Sequence, residues 1–129
     1  MIGINKVILI GNAGSKPEFN ILNDGTPVAK ISLATTESYR LKNGELSTKT
    51  EWHPVVAWRG LATLAHQYVH SGSLLYIEGK LRHRQYKDKE GQNKYITEVI
   101  ADQIILLDKR EKSQSENTGN SSSEEGTPF

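Results

Sequence analysis

The chain has 129 residues, the length of one domain, which excludes an enzyme with separate cofactor and substrate domains. It contains no cysteine, so a disulfide framework, a thiol nucleophile and a zinc site built on thiolates are also excluded. Its charge is uneven, because residues 1–110 hold 15 Lys and Arg against 11 Asp and Glu, whereas residues 111–129 hold one Lys against four Glu. A basic body suits a polyanionic partner, although the same charge could be an ordinary solvated surface.

The first half of the chain predicts three β-strands. Residues 6–11 form a β-branched run that ends at a turn-like Asn-Ala-Gly sequence, residues 12–14. Residues 28–36 alternate between apolar and polar side chains, which predicts a half-buried strand. Asn43 and Gly44 mark a turn, and residues 48–58, rich in Thr, Val and Trp, predict the third strand.

One helix and a long hairpin follow. Leu61, Leu64, Ala65, Tyr68 and Val69 have the spacing of an amphipathic helix, which a Ser-Gly pair at residues 71–72 closes. Residues 74–86 return to strand, the polar residues 87–93 form a turn, and residues 94–101 form the partner strand. Residues 104–108 are expected to close the body as a further short strand.

This order of elements predicts an all-β fold of the OB type over residues 1–110. An OB-fold is a five-stranded Greek-key barrel with a helix between its third and fourth strands, and it binds oligonucleotides or oligosaccharides on an open strand face. An SH3-like barrel or a small sandwich would fit the strands, but neither expects a lone helix at this place. The apolar runs are too short for a membrane-spanning helix, so we expect a soluble, intracellular protein.

Residues 111–129 differ sharply from this body. Residues 112–128 contain no Val, Ile, Leu, Met or aromatic side chain. Such a segment cannot bury enough apolar surface to offset the entropy of ordering. We therefore expect a disordered acidic tail that ends in the pair Pro128 and Phe129.

The two tryptophans fall on one face of the third predicted strand. Trp52 and Trp58 have the same parity, whereas Val55 and Ala57 have the opposite parity and could serve the core. Indole rings are costly to expose, so both rings could instead be core residues. On an open face, they would offer stacking surfaces for nucleobases.

The hairpin carries a basic stripe. Arg82, Arg84 and Tyr86 alternate on one face, and Leu81 and His83 occupy the other. Guanidinium groups pair with phosphates, and a phenol ring stacks on any base, so this pattern predicts a groove for a single strand. The alternative is a solvated hairpin with one basic face.

A third aromatic site lies at the end of the second predicted strand. Tyr39 stands beside Arg40 and Lys42, which repeats the pairing of a ring with positive charge. Three such sites together favour nucleic-acid binding more strongly than any one of them does alone.

Four segments resemble the bacterial-type single-stranded DNA-binding protein family. They are NKVILIGN at residues 5–12, ATTESY at 34–39, TEWH at 50–53 and YIEGKLR at 76–82. The resemblance implies base-stacking roles for Tyr39, Trp52, Trp58 and Tyr86, and phosphate-binding roles for Lys6, Lys42, Arg82 and Arg84. Asn20 and Pro54 fall where relatives often carry Arg, which implies fewer phosphate contacts.

The same resemblance implies assembly and protein partners. Relatives are usually homotetramers, with His53 at a position of subunit contact and Leu74 where relatives place a polar residue between dimers. The tail resembles the family's partner-docking tip, here Glu124, Glu125, Pro128 and Phe129. Thr127 replaces the usual apolar residue, which implies weaker docking.

The implied function is sequence-independent binding and protection of single-stranded DNA during replication, recombination and repair, in the cytoplasm at the nucleoid, with recruitment of partner proteins. We expect no catalysis and no cofactor. His66 and His70 have metal-ligand spacing but lack a third ligand nearby, so we expect no metal site. A primosome-type adaptor and an RNA-binding OB module are the alternatives; the docking tip disfavours the first, and the lack of Phe-rich strand motifs disfavours the second.

Overall fold

The computed structural model describes residues 1–108, which form six strands and one helix. The elements are β1 (Val7–Ala13), β2 (Glu18–Ile21), β3 (Pro27–Arg40), β4 (Leu46–Trp58), α1 (Gly60–Tyr68), β5 (Leu74–Lys87) and β6 (Asn93–Leu106). The predicted tail lies outside the described residues. Within residues 1–108, no helix is both long enough and apolar enough to cross a membrane.

Five of the strands close into a barrel. β1 pairs with β5, β5 with β6, β6 with β4 and β4 with β3, and β3 returns to β1 at Ala34, which is opposite Asn12. All these pairs are antiparallel except β4–β6, which is parallel where Val55 and Val56 meet Val99 and Ile100. The helix lies between the third and fourth barrel strands, so the predicted OB-fold is confirmed.

At the start of the chain, one predicted boundary is wrong and one strand is missing from the prediction. Asn12 and Ala13 belong to β1 rather than to a turn, because their pairing with β3 extends the strand. The four-residue strand β2 is absent from the prediction and pairs with β3 at the sheet edge. β2 has only four residues, which are too few for an alternating pattern to identify a strand. Of these residues, only Phe19 packs against the core.

The predicted break near residue 102 is also wrong, since β6 is one continuous strand. Gln103 pairs with Glu78 but Ala101 pairs with Gly79, so Asp102 is the extra residue of a β-bulge. The bulge shifts the inward parity of β6 by one residue. That shift breaks the alternation in the sequence and gives the impression of two strands.

The core fills the barrel and the space beneath α1. Inward side chains of β3, namely Ala29, Ile31 and Leu33, alternate with outward Lys30 and Ser32, as the alternation predicts. The helix buries Ala62 and Ala65, with Val69 directly after it. Tyr68 does not join the predicted apolar face: it is exposed, because α1 ends there and Val69 adopts an extended backbone.

Candidate nucleic-acid interface

The outward face of β4 carries both tryptophans. Val55 and Ala57, of opposite parity, are fully buried in the barrel. The side chain of Trp52 is 57% exposed and that of Trp58 is half-buried, so the two indoles do not belong to the core. The alternative in which both are core residues is therefore excluded.

A groove runs along this face, and we name it the β4 groove. It consists of two hollows with volumes of about 300 Å³ and about 530 Å³. The smaller hollow is lined by Ser15, Lys16, Glu18, Lys30, Ile31, Ser32, Trp52 and Pro54. The larger is lined by Asn20, Leu22, Val28, Lys30, Val56, Trp58, Arg82, Arg84 and Glu98. Lys30 lines both hollows, so its side chain lies beside each of them.

Two arginines of β5 converge on one buried carboxylate in the larger hollow. Arg82 Nη2 donates to Glu98 Oε1 at 2.7 Å, and Arg84 Nε donates to the same oxygen at 2.8 Å. The Glu98 side chain is 2% exposed, whereas those of Arg82 and Arg84 are 42% and 38% exposed. The two guanidinium groups therefore reach solvent from a shared buried anchor.

The ionisation of Glu98 follows from these contacts. Burial alone would raise the pKa of its carboxyl, but the hydrogen bonds and positive charges of the two arginines outweigh burial and hold the pKa below its ordinary value. Glu98 is thus a carboxylate at neutral pH. The cluster of two arginines and one glutamate carries a net charge of +1.

The sequence prediction missed Glu98, Lys30 and Lys16. Lys30 was visible as the polar side of β3, but its closeness to β4 becomes apparent only when the two strands are paired, where Lys30 stands opposite Val56. Glu98 stands opposite Arg82 in the hairpin. Pairing the two arms of the hairpin across the predicted turn would have brought these opposite charges together.

Tyr86 extends the basic face beyond the groove. It is exposed on β5, and the Arg84 guanidinium carbon lies 5.8 Å from the centre of its ring. This is within the range of a cation–π contact. Arg84 therefore joins the buried Glu98 to an exposed aromatic ring.

Two other predicted site residues, Tyr39 and Lys42, lie away from the groove walls. Tyr39 is exposed in the β3–β4 hairpin, opposite Ser47, and has the opposite parity to Ala34, the partner of Trp52. Lys42 is exposed in the turn that connects these strands. The structure therefore does not place Tyr39 and Trp52 on the same face of the β3–β4 ribbon.

Lys6 is already held by a carboxylate. Its ammonium nitrogen lies 2.7 Å from Glu78 Oε2, and the Tyr76 hydroxyl donates to Glu78 Oε1 at 2.9 Å. The hydrogen bond and charge of Glu78 raise the pKa of Lys6, and the hydrogen bond from Lys6 lowers the pKa of Glu78. A phosphate at Lys6 would share the ammonium group with Glu78.

The residues predicted at the subunit contact have partners within the chain. His53 is half-buried, with its Nε2 atom 2.8 Å from Thr35 Oγ1. The backbone N–H of Leu74, at the start of β5, donates to Asp108 Oδ1 at 2.8 Å. The predicted docking tip, Glu124, Glu125, Pro128 and Phe129, lies outside the described residues.

His66 and His70, which have metal-ligand spacing, are both exposed; His66 lies in α1 and His70 lies after it. The ring of His66 stacks on Phe19 of β2, with ring centres 4.1 Å apart. Among residues 1–108, no group of three or more His, Asp or Glu side chains is placed to hold a metal ion.

Comparisons with known proteins agree with this architecture. Residues 4–107 match the Single-strand binding protein family. The chain is 42% identical over 112 residues to Single-stranded DNA-binding protein 1 of Xylella fastidiosa (strain 9a5c), a match that covers 86% of this chain and 82% of the relative. It is also similar to a chain of the Plasmodium falciparum SSB complex with ssDNA, with a TM-score of 0.76 and 38% identity over 84% of this chain and 98% of the other. The protein therefore belongs to the single-strand binding protein family.

Proposed function

We propose that this protein binds single-stranded DNA along the β4 groove, without sequence preference, and protects it during replication, recombination and repair. The observation that carries the proposal is the presence of two non-core tryptophans and two anchored arginines on one open face of the barrel. The relatives support it, since one is a single-stranded DNA-binding protein by name and the other is a structure with ssDNA.

The chemistry of the groove suits an unpaired strand. Trp52 and Trp58 offer planar surfaces on which bases stack, and every base has such a face, so stacking discriminates little between sequences. Lys30, Arg82 and Arg84 lie between and beside these rings, where they can pair with phosphates. A duplex keeps its bases stacked on one another and has no free base for the indoles.

A fluorescence titration tests the proposal. Oligo(dT) is expected to quench the tryptophan emission strongly, whereas duplex DNA and RNA of equal length bind more weakly. Trp52→Ala is expected to lose roughly 1 to 3 kcal/mol of binding free energy, the range for one base–aromatic stack. Tyr95→Ala is the matched control, because Tyr95 is 77% exposed on the opposite face of the hairpin, opposite Gln85.

Three outcomes would overturn the proposal. Unchanged emission on addition of oligo(dT) would contradict stacking on either tryptophan. Equal losses of affinity in the Trp52 and Tyr95 variants would place the strand elsewhere. Tighter binding to RNA than to DNA would favour the RNA-binding reading of the fold.

We further propose that the protein assembles as a homotetramer. Residues 7–10 of β1 pair with β5 on one side only, since the pairing of β1 with β3 is confined to Asn12 and Ala13. Ile8 and Ile10 on the outer face of this open edge are 57% and 55% exposed. An apolar strand with a free edge favours addition of a strand from a second copy.

The solution mass tests this assembly. Light scattering after size exclusion is expected to give four times the chain mass for the native protein. Ile8→Lys combined with Ile10→Lys is expected to give a smaller species, whereas Leu46→Lys, at an exposed position in the β3–β4 hairpin, retains the native mass. A native mass of one or two chains would contradict the proposed tetramer.

We also propose that the tail recruits partner proteins. An aromatic ring beside acidic side chains can enter an apolar pocket with a basic rim, and Phe129 supplies the ring while Glu124 and Glu125 supply the charge. Deleting residues 126–129 is expected to abolish capture of replication and repair proteins from a cell extract while oligo(dT) affinity is retained. Capture of the same proteins by the truncated chain would reduce the tail to a solubilising segment.

A further inference from the structure

A buried acid lies within a groove that otherwise presents positive charge to a negatively charged ligand. Glu98 lines the larger hollow of the β4 groove, is 2% exposed and accepts a hydrogen bond from each of Arg82 and Arg84. A carboxylate at this place offsets one of the two positive charges and therefore weakens the long-range attraction for phosphate. Some other contribution must compensate for that loss if the groove binds DNA.

We infer that Glu98 is a positioning residue for DNA binding, because it fixes the guanidinium groups of Arg82 and Arg84 in the orientation in which they meet phosphates. The inference rests on the proposed binding of single-stranded DNA in the β4 groove. It adds that the two arginines are ordered before DNA arrives, so the DNA does not have to order them.

The number of hydrogen bonds supports positioning over competition. A guanidinium has five N–H donors, and Glu98 engages one donor of Arg82 and one of Arg84. Apart from the buried Nε of Arg82, the remaining donors of the two partly exposed side chains stay available to a phosphate. A DNA phosphate can therefore bind both arginines while both remain bound to Glu98.

The geometry of Arg82 also supports positioning by Glu98. Within residues 1–108, the Nε atom of Arg82 is a buried side-chain nitrogen with no hydrogen-bond partner. A buried donor without a partner costs free energy, so Arg82 does not occupy the place that best satisfies its own donors. Its contact with Glu98 Oε1 sets its position instead. Arg84, in turn, is held between Glu98 and the ring of Tyr86.

The entropy of the arginine side chains gives the expected size of the effect. Immobilising a long side chain on binding costs conformational entropy, so ordering two arginines in advance is expected to raise DNA affinity by about tenfold. An effect of charge alone has the opposite sign, because removal of the carboxylate leaves the groove more positive. The sign of the change therefore separates the two explanations.

The experiment measures oligo(dT) affinity for Glu98→Gln and Glu98→Asp over a range of salt concentrations, with thermal unfolding and solution mass as checks of folding. Glu98→Gln keeps the shape of the side chain but removes its charge. Glu98→Asp keeps the charge but withdraws the carboxylate by one methylene. Glu78→Gln is the charge-matched control, because it removes the carboxylate paired with Lys6 and does not touch the two arginines.

Both Glu98 variants are expected to bind oligo(dT) about tenfold more weakly, although Glu98→Gln removes a negative charge from the groove. Glu78→Gln is expected to bind equally well or more tightly. In a background of Arg82→Ala with Arg84→Ala, Glu98→Gln is expected to have no further effect, because nothing remains to be positioned. Tighter binding by Glu98→Gln, or the same loss in the double-alanine background, would overturn the inference.

Two further results keep the inference separate from the proposed function. If Arg82→Ala with Arg84→Ala binds as well as the native protein, the proposed binding groove itself is wrong. If the Glu98 variants do not fold, the side-chain Nε–H resonance of Arg84 in the native protein decides. Rigidity of that group before and after DNA addition supports positioning, whereas mobility before addition, or release from Glu98 upon addition, overturns it.

Discussion

The indole of Trp52 lies directly against the backbone of Gly14. A Cβ atom at Gly14 would lie 2.6 Å from Cζ3 and 2.9 Å from Cη2 of Trp52, which is closer than packed carbon atoms approach. The N–H of Gly14 donates to the carbonyl oxygen of Ser32 at 2.8 Å, so β3 holds this backbone in place. The absence of a side chain at Gly14 thus determines where the Trp52 ring can lie.

Gly14→Ala is expected to weaken DNA binding while the barrel remains folded. The added methyl group displaces the indole, because the ring has more freedom to move than the hydrogen-bonded backbone. The loss is expected to be part of the roughly 1 to 3 kcal/mol of one base–aromatic stack. Titration with oligo(dT) measures it, and Gly60→Ala is the control, since a Cβ there meets nothing within 4 Å. Equal affinities for both variants would contradict the role assigned to Gly14.

Lys30→Ala is expected to reduce the salt dependence of DNA binding. Lys30 lines both hollows of the β4 groove, so its ammonium group lies on the path of any strand that spans them. Loss of one phosphate contact with a single strand lowers the slope of log K against log salt by about 0.7. Titrations at several salt concentrations give the slope. Lys42→Ala is expected to change it less, because Lys42 lies in the β3–β4 turn, and the reverse order would contradict this placement.

Arg59→Gly is expected to stabilise the fold. Arg59 is the only non-glycine residue of the described chain with a positive φ, at φ 57° and ψ −123°, between β4 and α1. A side chain costs free energy in this conformation, and glycine does not, although glycine adds entropy to the unfolded chain. The net gain in the free energy of unfolding is expected to be about 1 kcal/mol.

Chemical denaturation measures this gain, and Arg59→Lys is the control. Lysine retains the strained backbone and the charge, so its stability is expected to match that of the native protein. A less stable Arg59→Gly variant would show that contacts of the arginine side chain outweigh the strain.

The stability of the native protein is expected to fall in acid more steeply than that of Glu98→Gln. The folded protein lowers the pKa of Glu98, so the unfolded chain binds this proton more tightly. The stabilisation by ionised Glu98 is therefore fully present above its unfolded pKa of about 4.3, and it is lost as the pH falls through the lower folded pKa. Denaturation curves between neutral and acid pH measure the two slopes. Parallel slopes would contradict the coupling of Glu98 to the two arginines.

Local patterns of the sequence were sufficient for much of the barrel. Ala29, Ile31 and Leu33 alternate with polar residues because one face of β3 is packed and the other is solvated. The same parity argument placed Trp52 and Trp58 on one face of the strand, and the structure shows that this face is outward. These features depend on the period of a single strand, so they can be read without knowledge of its neighbours.

Features that depend on pairing between strands could not be predicted from the sequence. The bulge at Asp102 changes the parity of β6, and only the register with β5 shows it. Glu98 was not singled out from the sequence, because its position opposite Arg82 depends on the register of the hairpin. The family resemblance grouped Tyr39 with Trp52 as stacking residues, but the position of Tyr39 relative to Trp52 is set by the register of β3 and β4.

β6 is the last strand of the barrel to be synthesised, and it has two roles: it closes the barrel and it completes the groove. β6 closes the barrel through Val99 and Ile100, and the same strand carries Glu98. A nascent chain that has not yet reached residue 98 already contains both arginines and both tryptophans, but it has neither a closed barrel nor the carboxylate that holds the arginines. Because this closure joins residues far apart in the chain, we expect it to come late in folding. An incomplete chain on the ribosome therefore presents no finished groove to nucleic acid.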